Sequence, residues 1–201
     1  MLLVSLPYPL LRTNIPFCKS DVLITHTVYF TAAAQHPPHQ IKFDFYYMHC
    51  VNSSIFFPTF MSTPSLSTTT KIRLLEWKVR LDLAMYASRA SPRLLLNEIT
   101  NYQPTSTTPL NSQSSWDDII KRVNRLEDDG HASKLVRALK HGEEACKEFE
   151  GGDGFVVRGD MWRVLGGMVV DSVEAGQPKW VRSCGFEEAW TEVPERDSAR
   201  L

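Results

Sequence analysis

The chain has 201 residues, of which 43% are hydrophobic and 22% are charged, so it can form one globular domain with a sizeable core. Twenty-two basic residues against twenty-three acidic ones give a formal net charge of −1, and no basic stripe is interleaved with aromatic residues, which argues against nucleic-acid binding. The four cysteines stand far apart, without the spacing of a zinc site or a redox dithiol, and predict reduced thiols.

The first predicted helices follow an irregular N-terminal segment. Residues 1–26 contain three prolines, no helical period and no basic stretch typical of a secretory signal. A helix is predicted from about Val28 to Gln35, and Pro37 and Pro38 end it because proline cannot continue the backbone hydrogen bonds. A second helix is expected from about Ile41 to Phe57. Charged and amide residues within that apolar stretch argue against a membrane span.

The middle of the chain carries the strongest helical period. Apolar residues at spacings of three and four predict a helix from about Lys71 to Ser88, which we expect at the centre of the core. Ser91 and Pro92 favour the start of a short helix that ends near Asn101. Residues 103–114, rich in Pro, Ser, Thr and Asn, are predicted to form a surface loop.

Three more helices are predicted towards the C-terminus. Ser115, followed by two acidic residues, favours a helix start, and the Asp129–Gly130 break separates that helix from the next one, His131–Phe149. Asp160 favours a helix to about Val173, in which adjacent glycines indicate close packing against another element.

A last short helix is predicted at Phe186–Trp190. The fold class expected is therefore all-α, a compact array of about seven helices over residues 27–194 with a polar tail at 195–201.

Four sequence blocks occur in an order that points to a known family. They are Asp44–Ser54, Lys71–Lys78 with Asp82–Ser88, Asp128–Arg137, and Gly159–Trp162 leading into Asp171–Val173. Together they resemble the C-terminal half of the questin oxidase-like family, fungal Baeyer–Villiger-type oxidoreductases of polyketide biosynthesis.

The resemblance implies an enzyme that uses O2 to insert oxygen beside a carbonyl of an anthraquinone-like polyketide, which opens the ring. NADPH accompanies the activity in some members, while others need no bound cofactor. The sequence has no flavin or metal motif, and Gly151–Gly154 lacks the dinucleotide fingerprint. No membrane partner is expected, and the oligomeric state stays open.

Two alternatives accompany this expectation. The N-terminal half of the family has no counterpart here, and residues 1–26 do not resemble it, as a misread exon or intron would explain. If the missing half completes the active site, the chain would be an inactive helical fragment that acts as a binding module. A carrier pocket for a lipid or polyketide, without turnover, is the weaker alternative.

The candidate site residues lie on one helical face and at one helix start. Phe45, His49, Asn52, Ser53 and Phe56 are spaced to share a face, which offers a general base, an amide and a hydroxyl between aromatic rings. His49 is the expected catalytic base, and the other four are the expected substrate-binding residues. The alternative is a structural histidine beside a polar patch.

His131 is the second catalytic candidate. It follows Asp129–Gly130 at a helix start, where the helix dipole disfavours the imidazolium and keeps the ring a neutral acceptor. The alternative is a histidine with a structural hydrogen bond, and Asp128 and Asp129 are expected to be cap and surface groups rather than a carboxylate dyad. No metal ligands are predicted.

The expected compartment is the cytoplasm. The final Ala199–Arg200–Leu201 is a conservative variant of the peroxisomal address, so peroxisomal delivery is the alternative.

Overall fold

The chain forms an all-α array, as predicted. The computed structural model describes residues 17–104, 109–111 and 113–196. Within these ranges there is no β-strand, and two isolated bridges join His39 to Glu195 and Asp44 to Val181. The helices are α1 (Phe17–Ala33), α2 (Phe45–Ser54), α3 (Phe57–Ser62), α4 (Thr68–Ser88), α5 (Asn97–Thr100), α6 (Trp116–Val123), α7 (His131–Cys146), α8 (Met161–Glu174) and a short 3₁₀ helix (Glu187–Trp190).

The core is built around α8. Every residue from 165 to 173 is buried, as expected for a helix that is apolar on nearly all sides and is covered by its neighbours. A Cβ atom on Gly167 would lie 2.9 Å from the carbonyl oxygen of Leu110, and one on Gly166 would lie 3.0 Å from the Trp116 ring. The close packing predicted from these two glycines is confirmed.

Helix α1 begins earlier than predicted. Residues 17–26 are helical, whereas the sequence suggested an irregular segment up to residue 26; the remainder of that segment lies outside the described residues. Because α1 is buried on several sides, including Leu23, Ile24 and Thr27, its sequence lacks the alternating apolar and polar faces that reveal a helix. The Thr27 hydroxyl donates to the Leu23 carbonyl oxygen at 2.7 Å, which satisfies it within the helix.

The helix predicted from Ile41 to Phe57 is shorter in the structure, and a separate short helix begins at Phe57. Helix α2 covers only Phe45–Ser54, and Pro58 lies in the first turn of α3 instead of ending the preceding helix. Proline is tolerated in a first turn because the amide hydrogen it lacks would have no partner there. Pro58 does lie at a helix boundary, as predicted. It belongs to the start of the following helix, whereas the prediction placed it at the end of the preceding one.

Helix α4 lies at the surface, so the prediction that it is central to the core is wrong. Its buried residues are Leu75, Lys78 and Asp82, while its large exposed side chains are Ile72, Trp77, Leu81 and Leu83. The helix packs against α1, α2 and α3, and part of its apolar period, including Ile72 and Leu83, is exposed. A period identifies a helical face, and only the tertiary contacts decide which face is covered.

Ser91 does not start a helix. It has a φ of 45° and the preceding Ala90 a φ of 61°, so both residues adopt the left-handed conformation that ends α4. The following segment is held by its backbone instead, because the Leu95 amide donates to the carbonyl oxygen of Ala33 at 2.8 Å. Helix α5 is therefore limited to Asn97–Thr100.

The predicted starts of α6 and α7 are confirmed. Ser115 caps α6 through a reciprocal capping box with Asp118. Asp128 accepts hydrogen bonds from the backbone amides of Gly130, at 3.1 Å, and Ala132, so it caps α7 as expected. In the part of the chain that the structure describes, no helix has the length and apolarity needed to cross a bilayer.

Candidate active site

The two candidate catalytic histidines meet between α2 and α7. The ring centroids of His49 and His131 are 5.6 Å apart, with the ring planes nearly perpendicular. The Phe45 ring contacts both imidazoles, at 5.0 Å from His49 and 4.9 Å from His131. Two helices that are distant in the sequence thus place two titratable rings around one aromatic side chain.

The N-terminus of α2 is fixed by a buried carboxylate. Asp44 accepts hydrogen bonds from the amides of Tyr46, at 2.8 Å, and Tyr47, at 3.1 Å, and so caps the helix. Its other oxygen accepts from the Cys184 amide at 2.9 Å, and the Phe45 amide donates to the Val181 carbonyl oxygen at 2.9 Å. The same group therefore orients α2 and attaches the segment that follows α8 to it.

That segment contributes two site residues that the sequence did not reveal. The Trp180 ring lies 6.4 Å from the His131 ring, and the Arg182 guanidinium lies over the Phe45 ring at 4.6 Å. Both belong to an irregular stretch with no period, and the only available signal was an aromatic and a cationic residue two positions apart.

A cleft of about 400 Å³ adjoins the ring cluster. One wall comes from the turn before α7 and the other from the segment after α8; its lining residues are Glu127, Asp128, Asp129, Gln177, Pro178, Lys179, Trp180 and Arg182. The volume lies within the range of small-molecule sites. Neither histidine lines this cleft, which adjoins the ring cluster through Asp129, Trp180 and Arg182.

The electrostatics favour a neutral His49. Desolvation by its packed neighbours lowers the pKa of His49 first, and repulsion from the Lys134 charge, and from His131 whenever that ring is protonated, lowers it further. The residue still reaches solvent, so its imidazole is both accessible and uncharged at neutral pH. An unprotonated imidazole is the form that can accept a proton.

His131 has a defined tautomer. Its Nδ1 donates to the Oδ1 of Asp129 at 2.6 Å, which leaves Nε2 as the acceptor when the ring is neutral. The Asp129 side chain is 79% exposed, so solvent screens this pair. Asp129 therefore orients the imidazole, a role that the sequence interpretation of this residue as a surface group did not include.

The other predicted substrate-binding residues are not joined to the imidazole pair by any hydrogen bond or ring contact between described residues. The Asn52 amide donates to the Met48 sulfur at 3.2 Å, and the Ser53 hydroxyl donates to the Cys50 carbonyl oxygen at 2.9 Å. Phe56 is exposed between α2 and α3. Their role in substrate binding stays a prediction.

The described cysteines are buried. Cys50, Cys146 and Cys184 are buried free thiols, and burial raises the pKa of Cys50 to about 12. Over residues 17–104, 109–111 and 113–196, no three histidine, cysteine or carboxylate side chains cluster as metal ligands.

Comparison with known protein families identifies the family of this chain. The sequence profile described as Questin oxidase-like matches residues 19–139, a range that includes both site histidines. The chain belongs to the questin oxidase-like family. The family match begins at residue 19, before the domain start that we predicted at residue 27.

Several curated relatives carry enzyme names. A Baeyer–Villiger oxidase of Pestalotiopsis microspora is 40% identical over 89% of this chain and 39% of its own length. A Baeyer–Villiger monooxygenase of Cryptosporiopsis is 40% identical over 84% of the chain and 38% of its own length. The questin oxidase of Aspergillus fumigatus is 35% identical over 88% of the chain and 39% of its own length. The chain thus spans about two fifths of the length of these questin oxidase-like relatives.

Proposed function

We propose that the chain carries out, or forms part of the site for, Baeyer–Villiger-type oxygen insertion into an anthraquinone-like polyketide of fungal secondary metabolism. The observation that supports this is the pair of imidazoles, His49 and His131, held around Phe45 beside a cleft of suitable size. Relatives named as Baeyer–Villiger oxidases and questin oxidase support the same reaction class.

His49 is the general base in this proposal. Its lowered pKa keeps it unprotonated, so it can take the proton of a phenolic hydroxyl on the reduced substrate. The electron-rich phenolate then reduces O2, and the peroxide formed adds to the neighbouring carbonyl carbon. A carbon–carbon bond migrates to the nearer oxygen as the O–O bond breaks, which inserts one oxygen atom and releases the other as water.

The remaining site residues bind and orient. His131, whose tautomer is fixed by Asp129, presents Nε2 as a second hydrogen-bond acceptor. Trp180, which lines the cleft, offers a flat surface on which a polycyclic substrate can stack, and Phe45, whose ring Arg182 covers on one face, is a proposed apolar contact. Three further residues at the C-terminal end of α2 and just after it remain proposed substrate contacts: Asn52, Ser53 and Phe56.

NADPH is a proposed reductant, and a second cleft fits its charge. A space of about 400 Å³ between α6 and α7 has an apolar floor that includes Val123 and Val136, and its rim carries Lys134, Arg137 and Lys140. These cations would hold the phosphate groups, and the bound nucleotide would supply a hydride. Lys134 also influences His49, so the two regions are neighbours.

Oxygen uptake with reduced anthraquinones, with and without NADPH, tests the proposal. The assay uses this chain and a chimera in which the chain replaces its aligned region in the Pestalotiopsis microspora Baeyer–Villiger oxidase. In whichever protein turns over, His49→Gln should lower kcat by about 10²-fold or more, because general bases contribute about that much. The wild-type rate should fall as the pH drops through the lowered pKa of His49, because the base becomes protonated.

The control is His26→Gln, which changes an exposed histidine on α1 whose Nδ1 lies 2.7 Å from the Val22 carbonyl oxygen. It should leave kcat unchanged. Full turnover by the His49→Gln chimera would refute the assignment of the base. Binding of reduced anthraquinone without oxygen uptake by either protein would instead indicate a binding module or carrier.

We also propose that the protein works in the cytoplasm or, through its last three residues, in peroxisomes. Ala199–Arg200–Leu201 lies outside the described residues. A fluorescent fusion at the N-terminus, compared with one that lacks these three residues, distinguishes the two compartments.

A further inference from the structure

One exposed side of helix α4 is apolar. Trp77 is 65% exposed and Leu81 is 57% exposed, one helical turn apart on the same side. Half-buried Leu74 and Met85 continue the same side at spacings of three and four residues, whereas the exposed Ile72 and Leu83 lie on the other side of the helix. Single exposed apolar residues are common on protein surfaces, but a continuous apolar stripe that includes an exposed tryptophan is of the kind that marks an interface.

The inward face of the same helix carries charges. Lys78 pairs with Asp82 in the protein interior, and the Thr27 Oγ1 lies 3.2 Å from the Oδ2 of Asp82. Desolvation raises the pKa of Asp82, whereas its contact with Lys78 opposes that change. A helix that buries an ion pair and exposes tryptophan and leucine has the reverse of the usual arrangement. The exposed residues therefore require a second covering surface.

The lengths of the relatives indicate what that surface is. Helix α4 lies within the region matched by the family profile, residues 19–139, so it belongs to the part shared with the relatives. The aligned segment covers only 39% of the Pestalotiopsis microspora relative. Most of that protein therefore lies outside the aligned segment and is available to pack on the shared part; we call it the non-aligned portion.

We propose that the side of α4 formed by Trp77 and Leu81 is the docking surface for the non-aligned portion of a questin oxidase-like protein. The partner chemistry is an apolar surface that excludes water from Trp77 and Leu81. The Glu76–Arg80 pair, exposed on the same helix, would lie at the rim of the contact. The proposal depends on family membership and on the exposure of α4, and it is independent of the catalytic role of His49.

Hydroxyl-radical footprinting of Trp77 tests the proposal in two proteins. One is the isolated chain, and the other is the chimera in which the chain replaces its aligned region in the Pestalotiopsis microspora oxidase. In the isolated chain, exposed Trp77 should be oxidised faster than fully buried Trp162, and the ratio of these two rates sets the scale. In the chimera, the oxidation rate of Trp77 should fall by roughly that ratio. Phe186, which is 47% exposed and lies outside α4, serves as the control for general shielding.

A stability comparison gives an independent readout. Leu81→Gln should leave the Tm of the isolated chain nearly unchanged and lower the Tm of the chimera, because only the chimera buries that side chain. Leu96→Gln, at a residue 39% exposed outside α4, is the matched variant and should have no larger effect in the chimera than in the isolated chain.

Each outcome decides the proposal. Unchanged Trp77 oxidation in a chimera that keeps Trp162 protected overturns it. Protection of Trp77 in the isolated chain that rises with protein concentration, together with a dimer in sedimentation, also overturns it in favour of a second copy. If Trp162 becomes reactive, the chimera has not folded. The non-aligned portion is then coexpressed with this chain as a separate polypeptide. If the two polypeptides do not copurify, docking is refuted.

Discussion

Lys42 offers a direct measurement of how strongly this fold penalises a buried charge. Its side chain is fully buried, and Nζ donates to the carbonyl oxygens of Ser172, at 2.5 Å, and Gly176, at 3.0 Å, at the end of α8. Among the described residues no carboxylate pairs with it. Desolvation lowers the pKa of Lys42 from 10.5 to about 8.

The size of the effect follows from linkage. Between pH 8 and 10.5 the unfolded chain binds the Lys42 proton more tightly than the folded protein, so stability rises with pH across that window. At about 1.4 kcal/mol per unit of pKa, the penalty is roughly 3 kcal/mol at pH 7 and about 2 kcal/mol smaller at pH 9.5. Lys42→Met removes the titration, although it also leaves the two carbonyl groups unpaired.

The assay is urea unfolding of the wild-type protein and Lys42→Met at several pH values from 7 to 9.5. The free energy of unfolding of the wild type, relative to the variant, should increase by about 2 kcal/mol over that range. Taking the difference cancels other groups that titrate at high pH. Lys121→Met, at an exposed position of α6, should show no such trend. If the free energy of unfolding of the wild type, relative to Lys42→Met, stays constant or decreases as the pH rises, the reasoning is refuted.

Further predictions concern α1, α8 and the imidazole pair. Burial raises the pKa of Asp21 to about 6, so the free energy of unfolding falls as the pH rises from about 4 to 6. Asp21→Asn should therefore increase the free energy of unfolding at pH 7 by roughly 1–3 kcal/mol. That gain should vanish below about pH 4, where Asp21 is protonated in both the folded and the unfolded state. Gly167→Ala should cost roughly 1–3 kcal/mol in urea unfolding, because its Cβ would lie 2.9 Å from a backbone oxygen, whereas Gly151→Ala, with open space around it, should change stability by less than about 0.5 kcal/mol. Lys134→Gln should raise the pKa of His49 in an NMR titration, because the Lys134 charge helps to lower it.

Specific results would contradict each of these three. An Asp21→Asn gain that persists at pH 3 would point to packing rather than titration. Equal stability of the two glycine variants would contradict the close approach of α8 to Leu110. An unchanged His49 titration in Lys134→Gln would separate the basic cleft from the imidazole pair.

The contrast between α4 and α8 shows what periodicity can and cannot predict. The apolar spacing from Lys71 to Ser88 predicted a helix correctly, because that spacing follows from 3.6 residues per turn. Its position in the core could not be predicted, because the covered face depends on which other elements are present. The adjacent glycines of α8 predicted its packing correctly, because the lack of a Cβ inside a helix allows another element to approach closely at that position.

The candidate site was predictable in part for a similar reason. His49 and Phe45 were related by helical spacing, and His131 was singled out by its place after a break, so each was found locally. Their meeting at 5.6 Å depends on the packing of α2 against α7. Trp180 and Arg182 reach the site only because Asp44 binds the backbone near them.

The sequence by itself determined the helical class, the caps at Ser115 and Asp128, and the family resemblance, because each is encoded within a short stretch by backbone chemistry or by residue order. The tertiary structure alone decided that α4 turns its tryptophan outwards and that two distant histidines share one phenylalanine. Such outcomes depend on contacts between remote segments, and no local pattern records which remote segment will supply them.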